Sequence, residues 1–339
     1  MRRKTVVIAI GGNAILRRDG KGTAEEQFEM VGETCHQIVD MIELGYKVVL
    51  THGNGPQVGN ILLQNDAGTR KGIPAMPLDV CVSESQGLIG YILQQSLENQ
   101  LRKRGRQTQV VSLVTQVLVH KRDKAFERPT KPIGPFYTKK QADNLRRRLG
   151  WSMVEDAGRG HRRVVPSPMP QRVIERRAVK KLIRQGAVVI SCGGGGVPVV
   201  LERNRLRGIE AVIDKDLASA VLAGNIDAQM LIILTDVEKV CINYGKQNET
   251  KVDVMTLEEA QRYMDQGHFP AGSMGPKVQA AITYLTKERR GQVIITSTGS
   301  LLKALEGKTG TRIIRTDADR HRVKPEKVDE TRFKRALNI

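Results

Sequence analysis

The residues best suited to chemistry are a lysine and two aspartates in the segment Ile213-Asp214-Lys215-Asp216-Leu217. The segment joins a predicted short strand, 209–213, to a predicted amphipathic helix. A lysine at such a point can neutralise charge on a transferring phosphoryl group, while a carboxylate orients it or binds Mg²⁺. Asp214 and Asp216 are equally suited to capping the helix, so both interpretations stay open.

A second lysine follows a glycine-rich turn. Gly272-Ser273-Met274-Gly275-Pro276-Lys277 precedes an apolar helical pattern, and Pro276 suits the first position of a helix. Lys277 then falls in the first turn, where the helix dipole disfavours a cation unless an anion lies opposite. We therefore assign Lys277 to phosphate contact, with a plain surface lysine as the alternative.

Three glycine clusters come directly after apolar, strand-like runs. They are Gly11-Gly12-Asn13, Gly53-Asn54-Gly55 and Gly193-Gly194-Gly195-Gly196. In an open α/β sheet, ligands bind beyond the carboxyl ends of the strands, and glycine there lets backbone N–H groups approach an anion. Three such loops in one crevice predict a phosphate-handling site. Neither of the first two matches the Walker A or dinucleotide fingerprint, and a tight turn explains each alone.

Other segments are suited to substrate contact. The prolines of Lys131-Pro132-Ile133-Gly134-Pro135-Phe136 predict a stiff loop tip, from which Lys131 could close over an anion. A plain surface loop is the alternative. Leu234-Thr235-Asp236-Val237 ends a buried strand, and Tyr244 follows in a polar loop, which suits a nucleotide base as well as core and turn roles. His52 beside a glycine loop is either a ligand contact or hydrogen-bonded in place.

Alternating strands and helices position these residues. Apolar runs predict buried strands at 5–10, 47–50, 109–114, 187–192, 229–235 and 292–297. Helical periodicity covers 24–44, 87–104, 170–185 and 276–289. Strands that alternate with helices of this length predict a mainly parallel sheet covered on both faces.

Two basic segments break the alternation. Residues 121–165 carry thirteen Lys and Arg against five Asp and Glu, with three prolines, and read as a lid-like insertion. Residues 315–339 carry eight Lys and Arg against five Asp and Glu and contain few apolar residues, which predicts a solvated tail or short surface helix.

Bulk composition narrows the function classes. The net charge of +19 fits either nucleic-acid binding or an enzyme with polyanionic substrates. Aromatic residues are only 4% and are not interleaved with the basic ones, which disfavours a single-strand platform. Four scattered cysteines form no C-x-x-C, and no apolar run has the length of a membrane span. A strand begins at once without room for a secretory signal, so we expect a cytoplasmic protein with reduced thiols and no membrane partner.

Seven motifs, which occur in order across residues 4–314, resemble those of the carbamate kinases in the amino acid kinase family. The motifs are Ile10-Gly11-Gly12-Asn13-Ala14, His52-Gly53-Asn54-Gly55-Pro56-Gln57-Val58-Gly59, Lys131-Pro132-Ile133-Gly134, Val164-Val165-Pro166-Ser167-Pro168, Cys192-Gly193-Gly194-Gly195-Gly196, Val212-Ile213-Asp214-Lys215-Asp216 and Gly272-Ser273-Met274-Gly275-Pro276-Lys277.

The resemblance implies a fold, an assembly and a reaction. The fold is a three-layer αβα open sandwich with a mainly parallel central sheet and a small protruding subdomain, and the assembly is a homodimer. The reaction is reversible, Mg²⁺-dependent phosphoryl transfer between ATP and carbamate, run in arginine breakdown from carbamoyl phosphate toward ATP. The catalytic domain would be 1–314, with 121–165 as the protrusion. The extension 315–339 departs from the family pattern.

The resemblance also implies site residues, position by position. Lys215 and Lys277 would stabilise the developing charge, Asp216 would organise them, and Lys131 would reach in from the protrusion. Substrate and phosphate contacts fall to Gly11, Gly12, Asn13, Gly53, Asn54 and Gly55. Nucleotide contacts fall to Asp214, Asp236, Tyr244, Met274 and Gly275. Mg²⁺ would be held mainly by the phosphates of the substrate nucleotide, ATP or ADP, without an assigned protein ligand.

Alternatives from the same and other classes remain. Within the fold, the chain could phosphorylate another small acid or synthesise carbamoyl phosphate. The charge allows a nucleic-acid-binding protein that has kept an enzyme fold, although a nucleic-acid partner is disfavoured. A catalytically silent regulatory relative is disfavoured because every charged position of the predicted site is occupied.

Overall fold

The computed structural model describes residues 3–16, 20–156, 158–270 and 272–319. Residues 320–339 of the predicted extension lie outside the described residues. The strands of the described part are β1 (Thr5–Ile10), β2 (Lys47–His52), β3 (Val110–Ser112), β4 (Gln116–Val119), β5 (Lys131–Tyr137), β6 (Met153–Glu155), β7 (His161–Val165), β8 (Pro170–Val173), β9 (Val188–Ile190), β10 (Val197–Glu202), β11 (Arg205–Gly208), β12 (Met230–Thr235), β13 (Val240–Ile242), β14 (Thr250–Val252), β15 (Val254–Thr256), β16 (Gln292–Ser297) and β17 (Thr311–Ile314). Its α-helices are α1 (Ala24–Glu43), α2 (Gly55–Thr69), α3 (Leu78–Lys103), α4 (Lys139–Leu149), α5 (Arg176–Arg184), α6 (Lys215–Asn225), α7 (Leu257–Asp265), α8 (Met274–Lys287) and α9 (Leu301–Leu305).

The central sheet has eight strands in the order β15-β17-β16-β12-β1-β2-β9-β3. Every neighbouring pair is parallel except β16 and β17, which are antiparallel. The carboxyl ends of β1, β2 and β12 therefore lie side by side at one edge of the sheet. The predicted mainly parallel sheet is confirmed, and the glycine loops after β1 and β2 meet at that edge.

Helices cover both faces of this sheet. Val6 and Ile8 of β1 pack into one apolar core, which also takes Ile38 of α1 and Leu93 of α3. Val7, between them, packs on the opposite face with residues of α6 and α8. Successive side chains of a strand point to opposite faces, so a continuous apolar run such as β1 requires two covered faces. The three-layer αβα sandwich is confirmed.

A small protruding subdomain consists of β5, α4, β6 and β7. Its strands form a separate sheet in the order β5-β7-β6. It has an apolar cluster of its own, formed by Ala142, Leu145 and Met153 with Tyr137, Leu149 and Trp151 around them. A further four-stranded sheet, β11-β10-β4-β8, packs on both regions, since Val199 of β10 shares an apolar cluster with Ile133 of β5 and Val200 packs in the core of the central sheet. The subdomain lies within the basic segment 121–165 that breaks the sequence alternation.

Three local predictions are wrong. Residues 170–185 are not one helix, because 170–173 pair with β4 as strand β8 and helix α5 begins only at Arg176. The segment from Lys131 is not a loop tip, because it pairs antiparallel with β7 as strand β5. Residues 209–213 form no strand, since they make only isolated backbone bonds, such as Val212 N–H to the Pro166 carbonyl.

Candidate active site

A cleft of about 1040 Å³ opens at the carboxyl edge of the sheet. Gly11 and Gly12 after β1 form its floor, and residues 234–239 at the end of β12 form one side. The start of α8 and Lys215 at the start of α6 complete the wall. The volume is that of a site for a nucleotide-sized ligand. The cleft therefore lies where ligands bind in open α/β folds.

Two lysines share one buried carboxylate at the inner end of this cleft, and we call Lys215, Asp216 and Lys277 the lysine cluster. The ammonium of Lys215 contacts Asp216 Oδ1, and Lys277 Nζ lies 3.3 Å from Oδ2 of the same residue. The Asp216 side chain is only 4% exposed, so both its oxygens are committed to lysines. The predicted catalytic residues Lys215, Asp216 and Lys277 are thus brought together.

The lysine cluster carries more positive than negative charge in a poorly hydrated place. Burial lowers the pKa of Lys215; the carboxylate of Asp216 opposes this shift, and the charge of Lys277 adds to it. Lys277 stands in the first turn of α8, where the helix dipole also disfavours a cation. An anion bound between the two ammonium groups would relieve both effects. The arrangement is suited to stabilising charge on a transferring phosphoryl group.

Asp214 and Lys131 form a second ion pair beside the lysine cluster. Lys131 Nζ lies 2.5 Å from Asp214 Oδ2, and Asp214 Oδ1 accepts hydrogen bonds from the backbone N–H groups of Asp216 and Leu217. Burial opposes ionisation of Asp214, but Lys131, Lys215 and the backbone donor outweigh it and lower its pKa to about 2. Asp214 is therefore the N-cap of α6 and does not line the cleft predicted to take the nucleotide.

The first two glycine loops meet next to the lysine cluster. A Cβ on Gly53 would lie 3.5 Å from Cδ of Lys215 and 3.6 Å from the backbone nitrogen of Gly12. A Cβ on Gly11 would lie 3.0 Å from the carbonyl oxygen of Leu234. Gly55 is the first residue of α2, so its N–H belongs to an anion-attracting helix start. The side chain of Asn13 lies outside what the structure describes.

The third glycine loop lies buried behind the second one. Residues 193–196 are all buried, and neither they nor residues 53–55 are among the residues that line the cleft. A Cβ on Gly193 would lie 2.4 Å from His52 Nε2, and one on Gly194 would lie 2.1 Å from Asn54 Nδ2. The prediction of three converging phosphate loops is therefore wrong for this one. Gly193 and Gly194 are needed because the side chains of His52, at the end of β2, and Asn54 pack against their bare backbone.

Asn54 points away from the cleft. Its Nδ2 donates a hydrogen bond to Ser85 Oγ at 2.8 Å, and the side chain is buried. Any contact between this residue and a phosphate falls to its backbone. Asn54 is also the N-cap residue of α2 and makes no side-chain capping bond, so the Ser85 bond ties the start of α2 to α3.

His52 is buried behind the glycine loops. Its Nδ1–H donates to the Gly53 carbonyl at 2.9 Å. Burial and the charge of Lys215 lower the pKa of His52 to about 4, against the opposing effect of that hydrogen bond. The ring is therefore neutral at physiological pH and positions the loop, which settles its role in favour of local hydrogen bonding.

A pH-dependent loss of stability follows from His52. The unfolded chain protonates this ring near pH 6.5 and the folded chain only near pH 4, so stability is present above 6.5 and falls as the pH drops through that window. We expect the free energy of unfolding to fall by roughly 3 kcal/mol from this group. Urea unfolding of His52→Gln between pH 7 and 4.5 should show a shallower slope than wild type. His120→Gln, at an exposed histidine, should keep the wild-type slope; equal slopes in both variants would contradict the assignment.

We call the part of the cleft that is lined by residues after β12 and by the start of α8 its wide end, and it holds three of the five residues predicted to bind nucleotide. Asp236, Tyr244 and Met274 line it, and Tyr244 is 67% exposed. Gly275 lines no part of it, since its Cα faces the Pro270 carbonyl, which would lie 3.0 Å from an added Cβ. Asp214 is committed elsewhere, as described above.

Sequence reasoning missed a further wall of the wide end. It is formed by residues that follow β12 and β16 and precede β17, and they include Glu238, Lys239, Cys241, Lys251, Thr298, Lys303, Lys308 and Thr309. Glu238 connects two parts of this wall, accepting hydrogen bonds from Ser300 Oγ at 3.1 Å and Thr309 Oγ1 at 3.4 Å. These residues belong to no glycine motif, so the sequence offered no signal for them.

Two features of the described residues concern metal ions and membranes. No group of three His, Cys, Asp or Glu side chains there could hold a metal ion. None of the helices in the same residues combines the length and apolar character that crossing a bilayer needs.

Known proteins are similar to this chain in sequence and fold. Residues 4–297 match the amino acid kinase family. Carbamate kinase of Pyrococcus horikoshii is 52% identical over 91% of this chain and 98% of its own length. The carbamate kinase-like protein YqeA of Escherichia coli is 50% identical over 91% and 98%. The structure of carbamate kinase from Giardia lamblia bound to AMP-PNP superposes with a TM-score of 0.85 at 46% identity, covering 93% of this chain and 99% of that one. The chain belongs to the amino acid kinase family, on the branch that contains the carbamate kinases.

Proposed function

We propose that this chain is a carbamate kinase, which transfers a phosphoryl group between ADP and carbamoyl phosphate to give ATP and carbamate. The observation that carries the proposal is the lysine cluster at the point where the nucleotide-sized cleft meets the glycine loops. The similarity to carbamate kinases over nine-tenths of the chain supports the choice of acid.

In the proposed reaction, an oxygen of the ADP β-phosphate attacks the phosphorus of carbamoyl phosphate. The bond between phosphorus and the carbamoyl oxygen breaks, and carbamate leaves with that electron pair, to decompose to ammonia and CO₂. No proton moves in the transfer and no covalent enzyme intermediate is needed. The protein must therefore position the reactants and balance negative charge, which glycine loops and lysines do.

The site residues divide between the two substrates in this proposal. The nucleotide base lies at the wide end near Asp236, Tyr244 and Met274, with its phosphates running toward Gly11 and Gly12. Carbamoyl phosphate lies on the Gly53–Gly55 side, within reach of Lys131. The lysine cluster lies between the two substrates. Lys215 and Lys277 contact the phosphoryl group during its transfer, and Asp216 keeps both ammonium groups in place.

In the proposed reaction, Mg²⁺ binds together with the nucleotide. The described residues supply no three-ligand cage, and both oxygens of Asp216 are taken by lysines. This fits a Mg²⁺ that keeps several waters and is held chiefly by nucleotide phosphates. Bound there, the ion would neutralise phosphate charge that Lys215 and Lys277 do not reach.

We extend the proposal to the cellular setting that the family resemblance implies: a cytoplasmic homodimer acting in arginine breakdown. Light scattering on the purified chain tests the assembly directly. A mass near twice 37.6 kDa supports the dimer, and a mass near 37.6 kDa contradicts it.

The first experiment is ATP formation from carbamoyl phosphate and ADP, with and without Mg²⁺, read by luciferase. We expect prompt, Mg²⁺-dependent ATP synthesis that is lost in Lys277→Ala. The similarity to a protein named only carbamate kinase-like makes another small acid the second candidate. Acetyl phosphate therefore serves as a parallel phosphoryl donor. If the protein makes ATP from acetyl phosphate and not from carbamoyl phosphate, it is a phosphotransferase whose substrate is an acid other than carbamate.

A further inference from the structure

Gly59 of α2 and Gly134 of β5 touch backbone to backbone. A Cβ on Gly59 would lie 2.0 Å from Cα and 2.6 Å from the nitrogen of Gly134, distances that real side chains essentially never show. Gly134 has φ of +73°, and a Cβ there would lie 3.5 Å from Gly59 Cα. Only glycine at position 59 therefore lets the strand of the protruding subdomain lie directly on the helix.

Neighbouring contacts hold the strand in this position. Ile133, beside Gly134, is buried in an apolar cluster with Val58 and Ile61 of α2. Arg162 of β7 donates from Nε to the Gly134 carbonyl at 3.1 Å. The Ile133 contacts thus hold β5 against α2, and the Arg162 bond holds Gly134 against β7 within the subdomain sheet.

The same helix carries both the glycine contact and the start of the predicted phosphate site. Gly55 begins α2, and Gly59 follows one helical turn later. On the strand, Lys131 precedes Gly134 by three residues and reaches Asp214 at the start of α6. The closeness of Gly59 to Gly134 therefore sets the gap between the glycine loop at 53–55 and the ammonium group of Lys131.

We infer that Gly59 and Gly134 are positioning residues, whose contact holds Lys131 at the distance from the Gly53–Gly55 loop that a small acyl phosphate spans. The inference rests on the proposed function only for the identity of that acyl phosphate. The contact between Gly59 and Gly134 and its effect on the position of Lys131 do not depend on it. When the substrate binds, its phosphate replaces Asp214 as the partner of Lys131. A wider gap leaves Lys131 short of the substrate.

The test is Gly59→Ala, analysed alone and combined with Lys131→Met. An added methyl group moves β5 outward, and a displacement near 1 Å is expected to raise KM for carbamoyl phosphate roughly 10- to 100-fold. KM for ADP should stay within about twofold, because the nucleotide end of the cleft is untouched. If Gly59 acts through Lys131, the double variant is no worse than Lys131→Met alone. Gly87→Ala, on an exposed helical glycine with open space around it, is the matched control.

Two kinetic results would overturn the inference: unchanged KM for carbamoyl phosphate in Gly59→Ala, or losses that multiply in the double variant. A crystal structure of Gly59→Ala tests the geometry without any substrate, since Lys131 Nζ should leave its position 2.5 Å from Asp214 Oδ2. If wild type makes no ATP from carbamoyl phosphate, the proposed function fails while this distance still decides the positioning role. Arg162→Gln loosens the same strand without an added atom, and a smaller rise in the same KM is expected should Gly59→Ala fail to fold.

Discussion

Lys215→Ala and Lys277→Ala should each lower kcat/KM for ATP formation by at least about 100-fold, or about 3 kcal/mol of transition-state stabilisation. Each ammonium group is held within the cleft by Asp216 and is mostly shielded from water, with 12% and 16% of the two side chains exposed. A preorganised charge in so poorly hydrated a place acts more strongly on a developing anion than it would in solvent. Steady-state kinetics with carbamoyl phosphate and ADP gives the comparison.

The matched control is Lys180→Ala. Lys180 also pairs with an aspartate, lying 2.7 Å from Asp227, but it belongs to α5 and is not among the residues that line the cleft. Its loss removes a charge and an ion pair while leaving turnover at the wild-type level. Turnover near wild type in correctly folded Lys215→Ala and Lys277→Ala would contradict both assignments. A rise in KM with unchanged kcat would show that the two lysines contribute to substrate binding and not specifically to the transition state.

The central sheet was predictable because its strands carry their own signal. Runs such as 5–10 and 292–297 carry consecutive apolar residues, as two covered faces require, and both agree with the observed strands to the residue. Glycine directly after a parallel strand then indicated the ligand-binding edge. The residues that the local motifs single out are also the ones that the fold brings to this edge. The position of the cleft and the residues of the lysine cluster could therefore be predicted from the motifs.

The errors lie where a segment depends on a distant partner. Ile174, Ala178 and Leu182 are each four residues apart, as on one face of a helix, yet the neighbouring Val173 pairs with Val117, which the local spacing does not show. The prolines from 131 onward suggested a loop because the pairing with β7 lies some 30 residues further along the chain. In both cases the pairing in the folded structure overrides the local preference.

The same limit applies to the site. The sequence showed which lysines and aspartates could do chemistry, and the resemblance implied that Asp216 organises Lys215 and Lys277, but nothing in the sequence indicated that Lys131 pairs with Asp214. Lys131 and Asp214 are 83 residues apart in the chain, and Gly59 and Gly134 touch only because β5 lies on α2. A glycine motif indicates that backbone is approached closely, and the structure alone shows whether a phosphate or another glycine approaches it.

Asp216→Asn should lower the free energy of unfolding by about 3 kcal/mol, which is the lower end of the range for removing one partner of a buried ion pair. Without the carboxylate, two ammonium groups face each other where burial already lowers the pKa of Lys215. The loss stays at the lower end because both lysines can turn toward water in the cleft. Urea unfolding measures it, and ATP formation should fall as well because neither ammonium group is held in place. Asp253→Asn, whose side chain is 74% exposed beside Lys239, should change stability by less than about 0.5 kcal/mol.

A second substitution separates charge repulsion from loss of packing in Asp216→Asn. Combining it with Lys215→Met removes one of the two facing charges and keeps the length of the side chain beside Gly53. If repulsion between uncompensated lysines causes the loss, the double variant is more stable than Asp216→Asn, although it remains inactive. If the carboxylate acts only by filling space and accepting hydrogen bonds, the double variant is less stable still. The second outcome would remove Asp216 from its role as organiser of the two lysines and leave each lysine positioned by its own helix.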